Sequence, residues 1–371
     1  MKKAILFIAI SLMLIQCCPV YDVTIQWQAE TLHHVTSGVY ARIKQVQHRH
    51  ALVYDAGHAA LIRFSEDDCN SWSIPMRVAE AEGYTYTNCE LVELASGKLL
   101  YMWNARPHSG TALPYKIMYA TSDDGGNSWH EARDLYVADT HFANGCWEPI
   151  ALQLPHGEIQ IYFANEAPYT DSDEQEISLM RSYDDGATWT AAEKVSFRKG
   201  SRDGMPSPIY LPHSKEIVLV IEDNGVRGRF KPCTVRTSKN WRDGHVSAHD
   251  PRRQEALHDT CSLPDSIYAG APYLITLGKH HTLLSIQSTE GRKGYNERYA
   301  NMQVYVGDKN ARHFRHRSTP LPNLPDDAQA LWNSITLLND ETVIAVMSVH
   351  GVNNQPGGVW TIKGKIVPVD R

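Results

Sequence analysis

The sequence predicts an all-β chain, a six-bladed β-propeller of four-stranded antiparallel blades. Three observations carry this. A turn phrase built on Asp and Gly and closed by an aromatic residue recurs along the chain. A second phrase, apolar alternation of period two on either side of a polar turn, recurs in step with it. No helical periodicity separates the copies.

The turn phrases are SEDDCNSW (Ser65 to Trp72), TSDDGGNSW (Thr121 to Trp129), SYDDGATW (Ser182 to Trp189), the shorter TSKNW (Thr237 to Trp241) and VGDKNARHF (Val306 to Phe314). Their closing aromatics recur at roughly 50- to 70-residue intervals, the range of propeller blades. The hairpin phrases are LVELASGKLLYMW from Leu91, LQLPHGEIQIYF from Leu152, IYLPHSKEIVLVI from Ile209, LITLGKHHTLLSI from Leu274 and ITLLNDETVIAVM from Ile335. A looser copy, ARIKQVQHRHALVYD, runs from Ala41 to Asp55 and brings the blades to six. VTIQWQA near the N-terminus and VWTIKGKIVPV at the C-terminus are strand-like, and one of them is expected to complete a blade and close the ring.

Residues 1–17 read as a lipoprotein-type signal peptide: Lys2 and Lys3 precede a short apolar run, and Leu14-Ile15-Gln16-Cys17 ends it, making Cys17 the candidate lipidation site. Residues 18–35 form an N-terminal segment able to complete a blade, and 36–371 the propeller. The expected location is the bacterial cell envelope, periplasmic or surface, or the medium, with membrane contact only through the N-terminal lipid. A net charge of -6, from 36 basic and 42 acidic residues, supplies no basic stripe and argues against nucleic acid. The seven cysteines are irregularly spaced and read as buried small hydrophobes rather than zinc ligands or a disulfide frame. No metal or organic cofactor is called for, and a monomer is expected.

In Ser-x-Asp-x-Gly-x-x-Trp the carboxylate can accept backbone N–H bonds within the turn while the glycine takes positive φ. The phrase therefore reads as structural, and chemistry is sought where inner strands start and second strands end, at one mouth of the channel. First strands offer Arg42, Glu90, Glu148, Asp203, Trp332 and Asn333; second-strand ends offer Asp55, Arg106, Asn165, Glu166, Glu222, Asp223 and His350. Carboxyl groups, arginines and aromatic faces at one mouth suit a sugar. Glycoside cleavage needs two carboxyl groups. Glu148, between Trp147 and Pro149, and Glu222, at the end of an apolar run, are the expected pair.

The turn phrases resemble the Asp boxes of sialidases and related propellers, and Arg42-Ile43 resembles the start of the Arg-Ile-Pro element, with Lys44 in place of proline. The sialidase tyrosine nucleophile has no counterpart, because Leu331-Trp332-Asn333-Ser334 occupies its place. WNARP, CWEP, DGMPSP, IEDN and LWNS resemble the inner-strand motifs of the exo-α-1,5-L-arabinanases of glycoside hydrolase family 93. That resemblance implies a retaining, exo-acting hydrolase of an oligo- or polysaccharide, with Glu148 as nucleophile and Glu222 as acid/base, an order of roles the sequence leaves open. Arg42, Glu90, Arg106, Asp203 and Asn333 are expected to bind substrate, with Trp147 and Trp332 as stacking surfaces. An exo-α-sialidase with Arg42, Arg229 and Arg298 as its triad and a non-catalytic glycan-binding propeller are the alternatives.

Overall fold

The computed structural model describes residues 22–258 and 261–369; the signal segment and Cys17 lie outside the described residues. Strands β1 (Val23–Trp27) and β2 (His33–Thr36) precede blade 1, made of β3 (Val39–Val46), β4 (Arg49–Ala56), β5 (Ala59–Ser65) and β6 (Met76–Glu80). Blade 2 is β7 (Tyr84–Glu93), β8 (Leu99–Pro107), β9 (Lys116–Ser122) and β10 (Arg133–Val137). Blade 3 is β11 (Cys146–Gln153), β12 (Ile159–Asn165), β13 (Glu176–Ser182) and β14 (Glu193–Ser196). Blade 4 is β15 (Asp203–Leu211), β16 (Glu216–Asp223), β17 (Lys231–Thr237) and β18 (Arg253–Glu255). Blade 5 is β19 (Ala269–Leu277), β20 (His281–Ser288), β21 (Asn301–Asp308) and β22 (Arg315–Ser318); blade 6 begins with β23 (Gln329–Asn339), β24 (Thr342–His350) and β25 (Gly358–Pro368).

Both strand-like termini are used in closing the ring. β25 is the third strand of blade 6, and β1 is the fourth, paired antiparallel from Val23↔Pro368 to Trp27↔Gly364. A Cβ on Gly364 would lie 2.5 Å from Ile25 and 2.9 Å from Trp27, so glycine lets the closing strand seat. Second strands are covered on both faces, which is why β12 is buried throughout and β16 reads as a continuous apolar run.

The turn phrases fold alike. In blades 1 to 3, Ser65, Ser122 and Ser182 each donate to the carboxylate two residues on (2.8 Å), and Asp67, Asp124 and Asp184 each accept the backbone N–H four residues on (2.9 Å). The hydroxyls of Ser71, Ser128 and Thr188, which also donate to these carboxylates, and then the bonds just named hold all three carboxyls well below the usual carboxylate range, Asp67 and Asp184 at about 2. Cys69 takes the glycine's place in blade 1 at φ 65°. Blade 4 departs from the sequence reading. Trp241 is not the closing aromatic but occupies the glycine position at φ 64°, its N–H on Thr237 Oγ1, and its indole donates to Tyr162 of blade 3 (2.9 Å).

Candidate active site

Every inner strand carries the same irregularity near its start. The β-ladder slips between Val39 and Arg42, Thr87 and Glu90, Trp147 and Ile150, Gly204 and Ser207, Gly270 and Tyr273, and Leu331 and Ser334. The first residue inside each bulge has positive φ: Tyr40, Asn88, Glu148, Met205, Ala271 and Trp332, all between 46° and 57°. Such bulges re-aim a side chain. Six-fold repetition makes a ring of six re-aimed residues at the channel mouth, and Glu148 is one of them. Pro149, Pro206 and Pro272 fill the second bulge position in blades 3 to 5, where a missing N–H breaks no ladder bond.

The bulge N–H needs an acceptor, which in most blades comes from the second strand of the preceding blade. Ser348 Oγ accepts from Tyr40 (2.9 Å), Gln287 Oε1 from Trp332 (2.7 Å), Glu222 Oε2 from Ala271 (2.8 Å), and Asp55 from Asn88. In blade 3 this position is Ala164, which offers no side-chain acceptor, and the Met205 N–H turns to Glu148 Oε2 (3.3 Å). Glu222 Oε1 meanwhile lies against Gly204, 3.1 Å from where a Cβ would stand. The two carboxyl groups thus bracket the same Gly204–Met205 segment.

Their surroundings differ. Burial raises both. Glu222 is pushed up to about 8, by burial first and then by the charge of Glu148. Around Glu148, burial is opposed chiefly by the Arg106 guanidinium. Arg106 is pinned by Asn104 Oδ1 and Asn88 Oδ1 (both 2.9 Å), lies 4.8 Å over the Trp147 ring, and has no carboxylate partner of its own among the described residues. Glu222 lies between Gly204 and Gly270 instead, where the other inner strands carry Val39, Thr87, Trp147 and Leu331. Neither glycine has positive φ. Both are there for the space that the carboxyl occupies.

The remaining expected residues are distributed as follows. Arg42 and Glu90 line a cavity of only about 10 Å³ with Tyr40, Glu148, Met205 and Tyr273, which Glu222 does not border. Arg42 is already engaged: it donates to the Ala41 and Trp332 carbonyls (3.0 and 2.9 Å), lies over the Tyr40 ring, and its Nε stands 3.7 Å from Glu90. Lys44 bonds Glu90 Oε1 (2.7 Å) and Tyr273 Oη (2.5 Å). Trp147 is buried among Tyr115, Phe142 and Arg106 and donates to Glu166, which also pairs with Arg202; it positions Glu148 rather than presenting a ring face. Trp332 is partly exposed beside Tyr40. Asn333 is buried, with Nδ2 on the Ala271 carbonyl.

Asp203 is in a different place from the cleft. Fully buried, it accepts two bonds from Arg253 (2.8 and 2.6 Å), which also reaches Asp223 (2.7 Å). Asp203 and Asp223 are cross-strand partners one step from the Gly204↔Glu222 pair, so strand alternation puts them on the opposite sheet face. Arg229 bonds the Tyr295 carbonyl and Arg298 lies over Tyr299. Tyr40, Asn88, Gly204, Gly270, Tyr268 and Gln287 escaped the sequence reading. The repeated phrases WEP, GMP and GAP, at one place in three successive blades, were the available signal for the bulges.

Fold and site together define a six-bladed β-propeller with a carboxyl pair on its inner blade strands. Among solved structures the chain resembles the family 93 α-L-arabinofuranosidase of Fusarium graminearum in complex with arabinobiose (TM-score 0.64, 13% identity, covering 94% of this chain and 96% of that one). It is as similar to the Penicillium chrysogenum α-L-arabinanase complexed with arabinobiose (0.64, 14%, 94% and 99%) and nearly so to the NanB sialidase of Streptococcus pneumoniae (0.61, 12%, 91% and 70%). A Dyadobacter fermentans protein of unknown function aligns at 0.68, with 12% identity over 93% and 98%. No protein-family model and no curated protein matches the sequence. Identities this low establish a common fold.

Proposed function

We propose that this protein is a retaining, exo-acting glycoside hydrolase of an α-L-arabinofuranosyl chain, with Glu148 as nucleophile and Glu222 as acid/base. The observation that carries the proposal is the unequal pair: two partly accessible carboxyl groups bracket one strand start, one beside the pinned cation Arg106, the other between two glycines and raised to about 8. Arg106 favours the ionised form a nucleophile needs, and the Glu222 site favours the protonated form an acid needs. Attack by Glu148 forms a glycosyl-enzyme ester while Glu222 gives its proton to the departing oxygen. Glu222 then takes a proton from water as that water cleaves the ester.

The likeness to two proteins solved with arabinobiose supports the choice of sugar class over a sialoside. We further propose export with lipidation at Cys17. β1 opens at Val23 opposite Pro368, on the turn-phrase face, so an anchor there leaves the mouth facing away from the membrane. Incubation with linear α-1,5-arabinan tests the reading. Release of arabinose or arabinobiose, lost in both Glu148→Gln and Glu222→Gln, is expected; full turnover in either variant removes the mechanism.

A further inference from the structure

The turns on the face away from the mouth are unlike in charge. Blades 1 to 3 carry Asp67 and Asp68, Asp123 and Asp124, and Asp184 and Asp185 there. In blade 5 Asp308 again accepts the backbone N–H four residues on (3.0 Å), but that donor is Arg312, where blades 1 to 3 have Ser71, Ser128 and Thr188. The phrase that follows Asp308 is KNARHFRHR, and its Lys309, Arg312 and Arg315 are exposed.

Two hairpin turns add the exposed Lys215 of blade 4 and Lys279 of blade 5. His213 in the first turn bonds Asn310 (2.8 Å), and His281, two residues past Lys279, pairs with Asp308 in the ladder. Beneath them Arg236 is buried, donating to the Asn310 and Ala311 carbonyls (2.7 and 2.6 Å). Burial and then the charge of Arg312 hold Arg236 below the usual arginine value, at about 10. Among the described residues the accompanying carboxylates are the half-buried Glu216, Asp308, which is spent on turn N–H groups, and Asp22, which pairs with Arg315. The overall charge of -6 thus conceals a positive patch at the edge of blades 4 and 5.

The chain enters the fold beside that patch. Asp22, the first described residue, bonds Arg315 (2.5 Å) and lies 3.4 Å from His316. Cys17 stands five residues earlier, so a lipid carried there is tethered within about 18 Å of Asp22.

We propose that Lys215, Lys279, Lys309 and Arg312 form a contact surface for an anionic phospholipid bilayer, holding the turn-phrase face against the membrane and the mouth away from it. The inference rests on the exported, lipid-anchored reading above for the membrane to be at hand; the charge of the surface does not depend on it. None of the four cations is ion-paired among the described residues, and Arg312 bonds the neutral Gln254 (3.1 Å). Each is therefore free to meet a headgroup phosphate.

Vesicle sedimentation tests this on the chain expressed without residues 1–17, which keeps every described strand and carries no lipid. Binding to vesicles of equal parts phosphatidylcholine and phosphatidylglycerol, absent with phosphatidylcholine alone and lost as salt is raised, is expected. Lys279→Glu/Lys309→Glu, at two exposed side chains, should weaken it at least about 25-fold, because each cation at such a surface contributes about fivefold. Lys199→Glu/Lys293→Glu, on the mouth loops, should leave it unchanged. Equal binding to both vesicle types, binding to neither, or full binding by Lys279→Glu/Lys309→Glu overturns the inference. Retention on heparin in place of the vesicles also overturns it, in favour of an acidic glycan. Mass spectrometry of Cys17 in the full chain exported from a bacterium decides the anchor separately: an unmodified Cys17 removes the lipidation reading, and the vesicle result still decides this one.

Discussion

Replacing Glu222 by Gln should stabilise the protein, and increasingly so as the pH rises. In the folded protein Glu222 keeps its proton up to about pH 8, whereas the unfolded chain releases it near the ordinary glutamate value of 4.5. Between those limits the native state binds more protons than the unfolded state, so raising the pH through this window costs stability. Each unit of separation corresponds to about 1.4 kcal/mol, giving a ceiling of roughly 5 kcal/mol by pH 8.5. Partial solvent access and coupling to Glu148 bring the expected value to about 2–3 kcal/mol. Glutamine retains an oxygen for the Ala271 N–H and has no charge to bury. Thermal unfolding of both proteins from pH 5 to pH 8.5 measures the difference, and groups common to both largely cancel. For a chain of this length the melting-temperature gap should widen by about 3–5 °C across the range. A gap that is constant with pH, or that narrows toward pH 8.5, refutes the assignment of a raised Glu222.

The same group sets the alkaline limb of activity: kcat/KM on arabinan should fall above about pH 8 as Glu222 loses its proton, and a limb near pH 5 contradicts the acid role. Arg253→Ala leaves Asp203 and Asp223 buried without their shared partner and should cost about 3–5 kcal/mol, measured by urea unfolding; a loss under 1 kcal/mol contradicts the network. At the bulge, Ala271→Gly should hold or gain about 0.5 kcal/mol, while Ala271→Val at φ 46° should lose more than about 1 kcal/mol, because a branched Cβ is strained there. Asp184→Ala should lower the melting temperature while leaving kcat on arabinan unchanged, since the turn lies on the face away from the mouth; a large fall in kcat contradicts that separation.

The propeller was legible because both repeated phrases are local. Ser122, Asp124 and Gly126 satisfy one another within a single turn, and the apolar runs of β8 and β16 follow from burial on both sheet faces. What alternation conceals is a slipped residue. Alternation places Asp203, which reads as an inner-strand carboxylate, in the Arg253 network on the opposite sheet face from Glu222, while the bulge re-aims Glu148. Trp241 misleads for a related reason: an aromatic at the glycine position keeps the phrase's composition but shifts its register.

The central claim is that Glu148 and Glu222 cleave a glycosidic bond with retention. It is tested most directly by following the digestion of linear α-1,5-arabinan by proton NMR from the first minutes. The account predicts arabinose or arabinobiose released first as the α-anomer, with no release by Glu148→Gln. First-formed β-anomer, or sialic acid from sialyllactose with arabinan left intact, would contradict it.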